Sequence, residues 1–373
     1  MEGSAAGVTL PLCVFVSTPS MEFTMSARSD AACFVGIDLH KDTLTACTIA
    51  AKDREVSYRK IACVAREKVR EFLAGLPRPS VVAIETVGFY RWLWTEAEPI
   101  VDQVLLADAR GARALAGRRI KTDREDALNV AELLMTGRLP LAWAPPGHIQ
   151  RLRDWTRHRN GLSRDHATTL HRVKSIMNRL NRPGPARMDA AGLQRYLLAG
   201  VERIDADDLA MLWQHQRRLV EIEQDRSVSE RRIVDLMKAP EFRSLRAILE
   251  TIPGVGLVTS ATAIAEIGDF SRFPDAKAIG RYAGLTPIGY ASADKNRLGR
   301  ICKTGSPDLR WALQQAAWTA IRCDASIKKT WLKISKTAGK KAAAVAIARK
   351  LLVLMWTLVR KDEPYKVREP LAA

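Results

Sequence analysis

The sequence is poor in the devices that stabilise secreted and membrane proteins. Its six cysteines, Cys13, Cys33, Cys47, Cys63, Cys302 and Cys323, are scattered over 373 residues, with no C-x-x-C pair and no histidine at metal-ligand spacing. This excludes a disulfide framework and a zinc ribbon, and the thiols read as buried groups in a reducing compartment. No apolar run approaches the ~20 residues that span a bilayer, and neither an amphipathic anchor nor a lipidation signal is found, so a membrane is not an expected partner. GVTLPLCVFV near the N-terminus contains Pro11 and lacks a basic flank before it, which makes a poor secretory signal. Residues 1–30 read as a disordered leader, or as an over-extended start whose true first residue is Met25. Internal repeats are absent. Carboxylates are also in the minority: 41 Asp and Glu stand against 59 Lys and Arg, a net charge of +18. That imbalance implies a polyanionic partner, with nucleic acid the leading candidate.

The chain is long enough for two domains and a connector. CFVGIDLHKDTLTACTIA gives two β-rich runs joined by the polar turn His40-Lys41-Asp42, and EVSYRKIACV gives a third strand. Helix REKVREFLAGL, strand SVVAIET, helix FYRWLWTEAE and strand IVDQVLLAD follow, so residues 31–145 read as an α/β domain. Residues 146–245 read as a helical connector. Leu152, Trp155, Leu162, Thr169, Val173, Ile176 and Leu180 recur at coiled-coil spacing, interrupted by Arg159 and His166, and a second long helix runs from about Asp208 to Met237. This pair is expected to be an antiparallel hairpin, either packed within the chain or serving as a dimerisation arm. Its first helix carries Arg151, Arg153, Arg157, Arg159, Arg164, Arg172, Lys174, Arg179 and Arg182 against Asp154 and Asp165, more positive charge than a solvated face needs. Residues 246–365 read as a mostly helical domain with one irregular segment, 284–306.

Four carboxylates stand out. Asp38 interrupts the apolar strand of Phe34, Val35, Ile37 and Leu39, and Glu85 ends a second buried strand. Burying an unpaired carboxylate costs several kcal/mol, so each alone implies a salt bridge, a structural hydrogen bond or a metal. Asp123 and Asp126 are three apart on the helix KTDREDALNVAELL and therefore share a face. If that helix starts across the ends of the Asp38 and Glu85 strands, the four converge. Oxygen ligands in such a cluster suit Mg²⁺ or Mn²⁺, and two such ions stabilise both oxygens of a phosphoryl transfer.

In the last domain, ETIPGVGLVTSATAIAEI has the form of a helix-hairpin-helix, in which Gly254 and Gly256 would expose backbone N–H groups to a phosphate, though the same string also suits a plain helical turn. Ser292 precedes Lys295, Arg297, Arg300 and Lys303. It is either an ordinary loop serine or a hydroxyl placed where cations stabilise charge on a phosphate. Ser306, ahead of Pro307 and Asp308, reads as a helix N-cap.

With these strings in hand, the sequence resembles the insertion-sequence transposases that include the pilin-gene invertase, the IS-one-ten family, over about residues 33–360. The matching residues are Asp38 in GIDLHKDT, Glu85 in AIET, Asp123 and Asp126 in KTDREDA, and the later strings IPGVG, AEIGDFSRFPDAKAIGRYAGLTP and GRICKTGSPDLRWALQQAAW. The resemblance implies a RuvC-like, ribonuclease-H-type N-terminal domain, a coiled-coil connector and a C-terminal transposase domain. It further implies Mg²⁺, donor and target DNA, a guiding non-coding RNA, a homo-oligomer and a nucleophilic serine, by position Ser292, in the bacterial cytoplasm at the nucleoid. The family usually has glycine after that serine, where this chain has Ala293. Recombination through a phosphoserine is the expected activity. The alternatives are a RuvC-like junction nuclease that uses activated water, and a structure-specific nucleic-acid binder without catalysis.

Overall fold

The computed structural model describes residues 27–115, 122–199, 204–292 and 295–366, with 289–292 and 295–298 described through their backbone. The chain divides into two compact units, 1–144 and 145–373. In the first, β1 (Cys33–Leu39), β2 (Thr43–Ala50) and β3 (Val56–Ala62) form an antiparallel meander. Helix α1 (Arg66–Ala74) leads to β4 (Ser80–Glu85), parallel to β1, and α2 (Arg91–Ala97) leads to β5 (Gln103–Ala107), parallel to β4. After α3 (Ala109–Leu115) and α4 (Asp123–Met135), the two-residue β6 (Leu141–Ala142) completes a sheet of order β3-β2-β1-β4-β5-β6.

Every residue of β1 is buried, because helices cover both faces of the sheet there. Cys33, Val35, Ile37 and Leu39 pack with Val69 and Leu73 of α1 and Leu93 and Ala97 of α2. The opposite face, Phe34, Gly36 and Asp38, turns toward α4. Phe34 joins Val130, Leu133 and Leu134 in one cluster. At Gly36 a Cβ would lie 2.3 Å from the Ala127 carbonyl oxygen and 2.5 Å from the Ala131 nitrogen. Only hydrogen fits, so α4 rests backbone to backbone on β1. The helix runs opposite to the strand, which carries its first turn to the carboxyl end of β1.

The second unit is mostly helical. Its helices are α5 (Gly147–Arg179), α6 (Ala190–Leu198), α7 (Ala206–Leu236), α8 (Pro240–Leu249), α9 (Leu257–Ile267) and α10 (Ala276–Tyr282), and, after a hairpin, α11 (Pro307–Cys323), α12 (Ala325–Ala338) and α13 (Lys340–Lys361). Arg159 of α5 pairs with Glu230 of α7, His166 with Glu223, and Arg179 with Asp208, so the two helices run antiparallel. Arg159 and His166, the two interruptions of the apolar seam, are thus its ion-paired positions.

Three expectations are corrected. The positive charge of α5 is largely internal: besides Arg159 and Arg179, Arg157 holds Glu266 through two hydrogen bonds of 2.7 and 2.9 Å, Arg153 donates to the Ala265 carbonyl at 2.8 Å, and Arg164 pairs with Asp308 at 2.8 Å. Glu266 is 2% exposed and needs these partners. The segment 284–306 is not irregular but holds an antiparallel hairpin, β7 (Pro287–Ser292) and β8 (Lys295–Ile301), whose small and charged residues lack the apolar alternation that marks a strand. The thiols are not uniformly buried. Cys33 and Cys47 are, and burial pushes each up to about 11, whereas Cys323 is exposed and half-buried Cys302 is brought down to about 7 by the Thr304 hydroxyl. Cys13 lies outside the described residues.

One helix, α13, is long and apolar enough to cross a membrane by length and composition. In the fold its Ala344, Ile347, Leu351, Leu352 and Met355 are buried, and it packs on α11 and α12.

Replacing Gly36 with alanine forces β1 and α4 apart. Urea unfolding of Gly36→Ala is expected to show a loss of about 1–3 kcal/mol; unchanged stability would mean that the contact does not set the helix position.

Candidate active site

Asp38 lies on the α4 face of β1 and is 4% exposed. On the neighbouring parallel strand, Ile84 is in register with Ile37, so Glu85, the last residue of β4, comes level with Asp38. Across the sheet in the other direction, Asp38 is in register with Thr45 and Thr45 with Lys60, a row of polar side chains on one face. Thr122 caps α4 by accepting a hydrogen bond from the Glu125 amide at 3.2 Å. The partial positive charge of that helix end favours acidic residues in its first turn, where Asp123, Glu125 and Asp126 stand.

These elements bring the four carboxylates together. Asp38 and Glu85 lie close enough to act on each other's charge, and Asp126 acts electrostatically on both. His40 Nε2 lies 3.0 Å from Asp38 Oδ2 and 3.4 Å from Asp123 Oδ1. Lys60 Nζ lies 3.0 Å from Asp123 Oδ2, and Arg113 Nη2 lies 3.7 Å from Glu85 Oε1. Burial pushes Asp38 above the usual carboxylate range, with His40 and Glu85 opposing it and Asp126 and Asp123 adding to it. Burial likewise raises Glu85, and the Asp38 charge raises it further. The hydrogen bond from Lys60 instead holds Asp123 below its ordinary value.

A divalent cation fits this set. Asp38 Oδ2 and Thr45 Oγ1 are buried without a hydrogen bond, and one ligand atom each from Asp38, His40 and Asp123 lies within 4.8 Å of the others. Hard carboxylate oxygens suit Mg²⁺ or Mn²⁺, and the imidazole nitrogen favours Mn²⁺ of the two. Beside Asp123 opens a cleft of about 430 Å³ lined by Thr45, Tyr58, Arg59, Lys60 and Arg124. His40 and Lys60 are site residues that the sequence reading passed over. Their signals are spacing, with His40 two residues beyond a strand aspartate, and register, with Lys60 two strands across from it.

The other candidate residues lie in the second unit. Ser292 ends β7 opposite Lys295, and Arg297 is in register with Tyr290. Arg300 is exposed near the end of β8, and Lys303 follows with a positive φ of 55°. Gly256 is the exposed N-cap of α9. Gly254 has φ +83°, and a Cβ there would meet the Ala316 carbonyl oxygen of α11 at 2.4 Å, so its position is explained by packing. The Ser306 side chain caps α11 by accepting from the Leu309 amide at 3.2 Å.

Residues 35–181 match a family model for DEDD-type transposases of the IS110 group, and residues 246–332 match one described as the transposase IS116/IS110/IS902 family. The chain is 26% identical to a putative transposase of Sinorhizobium fredii over 271 residues, 66% of each chain. It is 23% identical to a probable family 20 transposase of Pseudomonas aeruginosa over 345 residues, 89% of this chain and 98% of that one. To a pilin gene-inverting protein of Moraxella bovis it is 33% identical over 132 residues, 35% of this chain and 41% of the relative.

Because folding raises the Asp38 and Glu85 pKa values, their protonated forms stabilise the metal-free fold. That stabilisation is complete below the unfolded carboxylate value of about 4 and is lost as pH rises through the folded values. In metal-free buffer at neutral pH, Asp38→Asn is therefore expected to melt at a higher temperature than the wild type, with the difference fading in acid. Added Mn²⁺ should raise the melting temperature of the wild type alone. A variant that melts lower at neutral pH would contradict the account.

Proposed function

Because this chain belongs to the IS110-type family of insertion-sequence transposases, we propose that it cuts and rejoins DNA, with Asp38, Glu85, Asp123 and Asp126 as the acidic site and Ser292 as the nucleophile. The observation that carries this reading is the convergence of four carboxylates from three elements around a buried, unbonded Asp38 oxygen. A meander continued by parallel strands, with acids at the strand carboxyl ends, supports a RuvC-like, ribonuclease-H-type assignment for residues 31–145. Residues 146–245 then act as a coiled-coil connector and 246–365 as the transposase domain.

A divalent ion held by the acidic residues would supply Lewis-acid stabilisation of the phosphoryl oxygens. Within the chain, Asp38 and Glu85 present ligand oxygens only when ionised, so the protons that burial favours must leave them. Lys60 then leaves Asp123 for the scissile phosphate, and Arg59 and Arg124 in the adjoining cleft hold the strand. The Ser292 hydroxyl loses its proton, forms the bond to phosphorus and releases one strand end as a free hydroxyl, conserving the phosphodiester as a phosphoserine that a second strand end reverses. Lys295, Arg297, Arg300 and Lys303 on the same hairpin offset the charge on the phosphate. The exposed amide end of α9 at Gly256 supports a helix-hairpin-helix contact with a DNA backbone.

The net charge of +18 supports donor DNA, target DNA and a guiding RNA as partners in a homo-oligomer. The Moraxella relative is named for inverting a pilin gene, which supports a reading of DNA rearrangement for this chain.

With cognate DNA, RNA and Mg²⁺, the wild type should yield a protein–DNA adduct that survives denaturation and maps to Ser292. Ser292→Ala should lose it, whereas Ser306→Ala should keep it at a cost of about 1 kcal/mol in stability. Asp38→Ala or Asp126→Ala should abolish recombination. Cleavage without an adduct would favour the water-using junction nuclease, and DNA binding without cleavage, insensitive to Asp38→Ala, would favour the non-catalytic binder.

A further inference from the structure

The functional reading leaves one surface of the second unit unused. Residues 325–361, which cover α12 and α13, contain ten Lys and Arg and no Asp or Glu. Surface helices selected for solubility alone intersperse the two signs. Lys328, Lys329, Lys333, Lys336, Lys340 and Lys341 are all exposed, and among the described residues none is in an ion pair. This differs from α5, where arginine after arginine is neutralised by a carboxylate of the same unit.

Aromatic groups border these lysines. Trp318 of α11 is 39% exposed, and its ring lies 6.2 Å from that of Trp331 of α12, tilted by 66°. Trp331 Nε1 donates to the Lys340 carbonyl at 3.3 Å, which fixes that ring at the α12–α13 turn, and Leu332 beside it is 46% exposed. An apolar ring left in water next to unneutralised ammonium groups suits a ligand that is both anionic and flat-faced.

We propose that this α11–α13 surface binds single-stranded nucleic acid, with bases stacking on the Trp318–Trp331 pair and the phosphates following the lysines of α12. A duplex keeps its base faces covered and can satisfy only the lysines, so the indoles select an unpaired strand. The proposal rests on the nucleic-acid reading above and deepens it, assigning unpaired strand to residues of α11 and α12 that the proposed chemistry does not use. The charged face of α12, with six exposed lysines on α12 and the start of α13, favours an anionic strand, and the vesicle arm of the test below separates a lipid surface from it.

The test uses the full-length protein with a fluorescent thirty-nucleotide oligo(dT), a duplex of equal length and phosphatidylserine vesicles, followed by anisotropy and tryptophan quenching. The wild type should bind oligo(dT) with quenching. The variant with Lys328, Lys329, Lys333 and Lys336 all changed to glutamine should bind at least tenfold more weakly, with its log–log salt slope reduced by about 2–3. Trp318→Leu should lose affinity for oligo(dT) but not for duplex. Circular dichroism checks that the variants remain helical. If the wild type binds and the four-lysine variant binds equally well, the surface assignment is overturned while the nucleic-acid reading stands. An equal loss for oligo(dT) and duplex in Trp318→Leu would also overturn it. A wild type that binds neither nucleic acid would overturn both, and binding to vesicles alone would make the surface a membrane contact.

Discussion

The closest constraint in the first unit is the contact between Gly36 of β1 and the backbone of α4 at Ala127 and Ala131. Everything in the acidic cluster depends on how deeply that helix sits on the sheet. One more methyl group on the strand would lift the helix, and Asp123 and Asp126, less than two turns toward its N-terminus, would move with it. Distances of 3.0 and 3.4 Å from His40 to Asp38 and Asp123 leave little tolerance for such a shift. Packing between two small-residue surfaces thus fixes the positions of charged groups that would otherwise repel one another.

Electrostatics is arranged differently in the two units. In the second, buried Glu266 and Asp308 are matched by Arg157 and Arg164, and half-buried Glu230 by Arg159. Those pairs hold helices together. In the first unit, among the described residues, His40, Lys60 and Arg113 lie against Asp38, Asp123 and Glu85, but all three are largely exposed, whereas burial raises the pKa values of Asp38 and Glu85 and the Asp38 charge raises Glu85 further. Burying Asp38 and Glu85 with only exposed cations against them costs the metal-free protein stability, an arrangement consistent with a divalent cation at the cluster.

Legibility in the sequence followed how local the physics was. Asp38 and Glu85 stood out because a carboxylate inside an apolar strand is anomalous on its own, and Asp123 and Asp126 because helical spacing places them on one face. His40 was hidden in what reads as a solvated hairpin turn. Lys60 sits on an exposed edge strand, and only the register Asp38–Thr45–Lys60 brings it to the site. The arginines of α5 suggested a nucleic-acid face because their partners are 29 to 144 positions away. The short α6 and β6 left no periodic signal long enough to read, and the hairpin β7–β8 lacks the alternation that a half-buried strand would show. The role proposed for Ser292 comes from family resemblance alone, while the assignment of the surface on α12 needed the structure, since neither the exposure of Trp318 nor its contact with Trp331 can be read from spacing.

The central claim, that the four carboxylates form a divalent-metal site, is tested most directly by anomalous scattering from crystals of the full-length protein grown with Mn²⁺. The account predicts an anomalous peak within about 2.5 Å of oxygens from Asp38 and Asp123, with Lys60 displaced from Asp123. Saturating Mn²⁺ with no peak among these residues, and Lys60 still bound to Asp123, would contradict it.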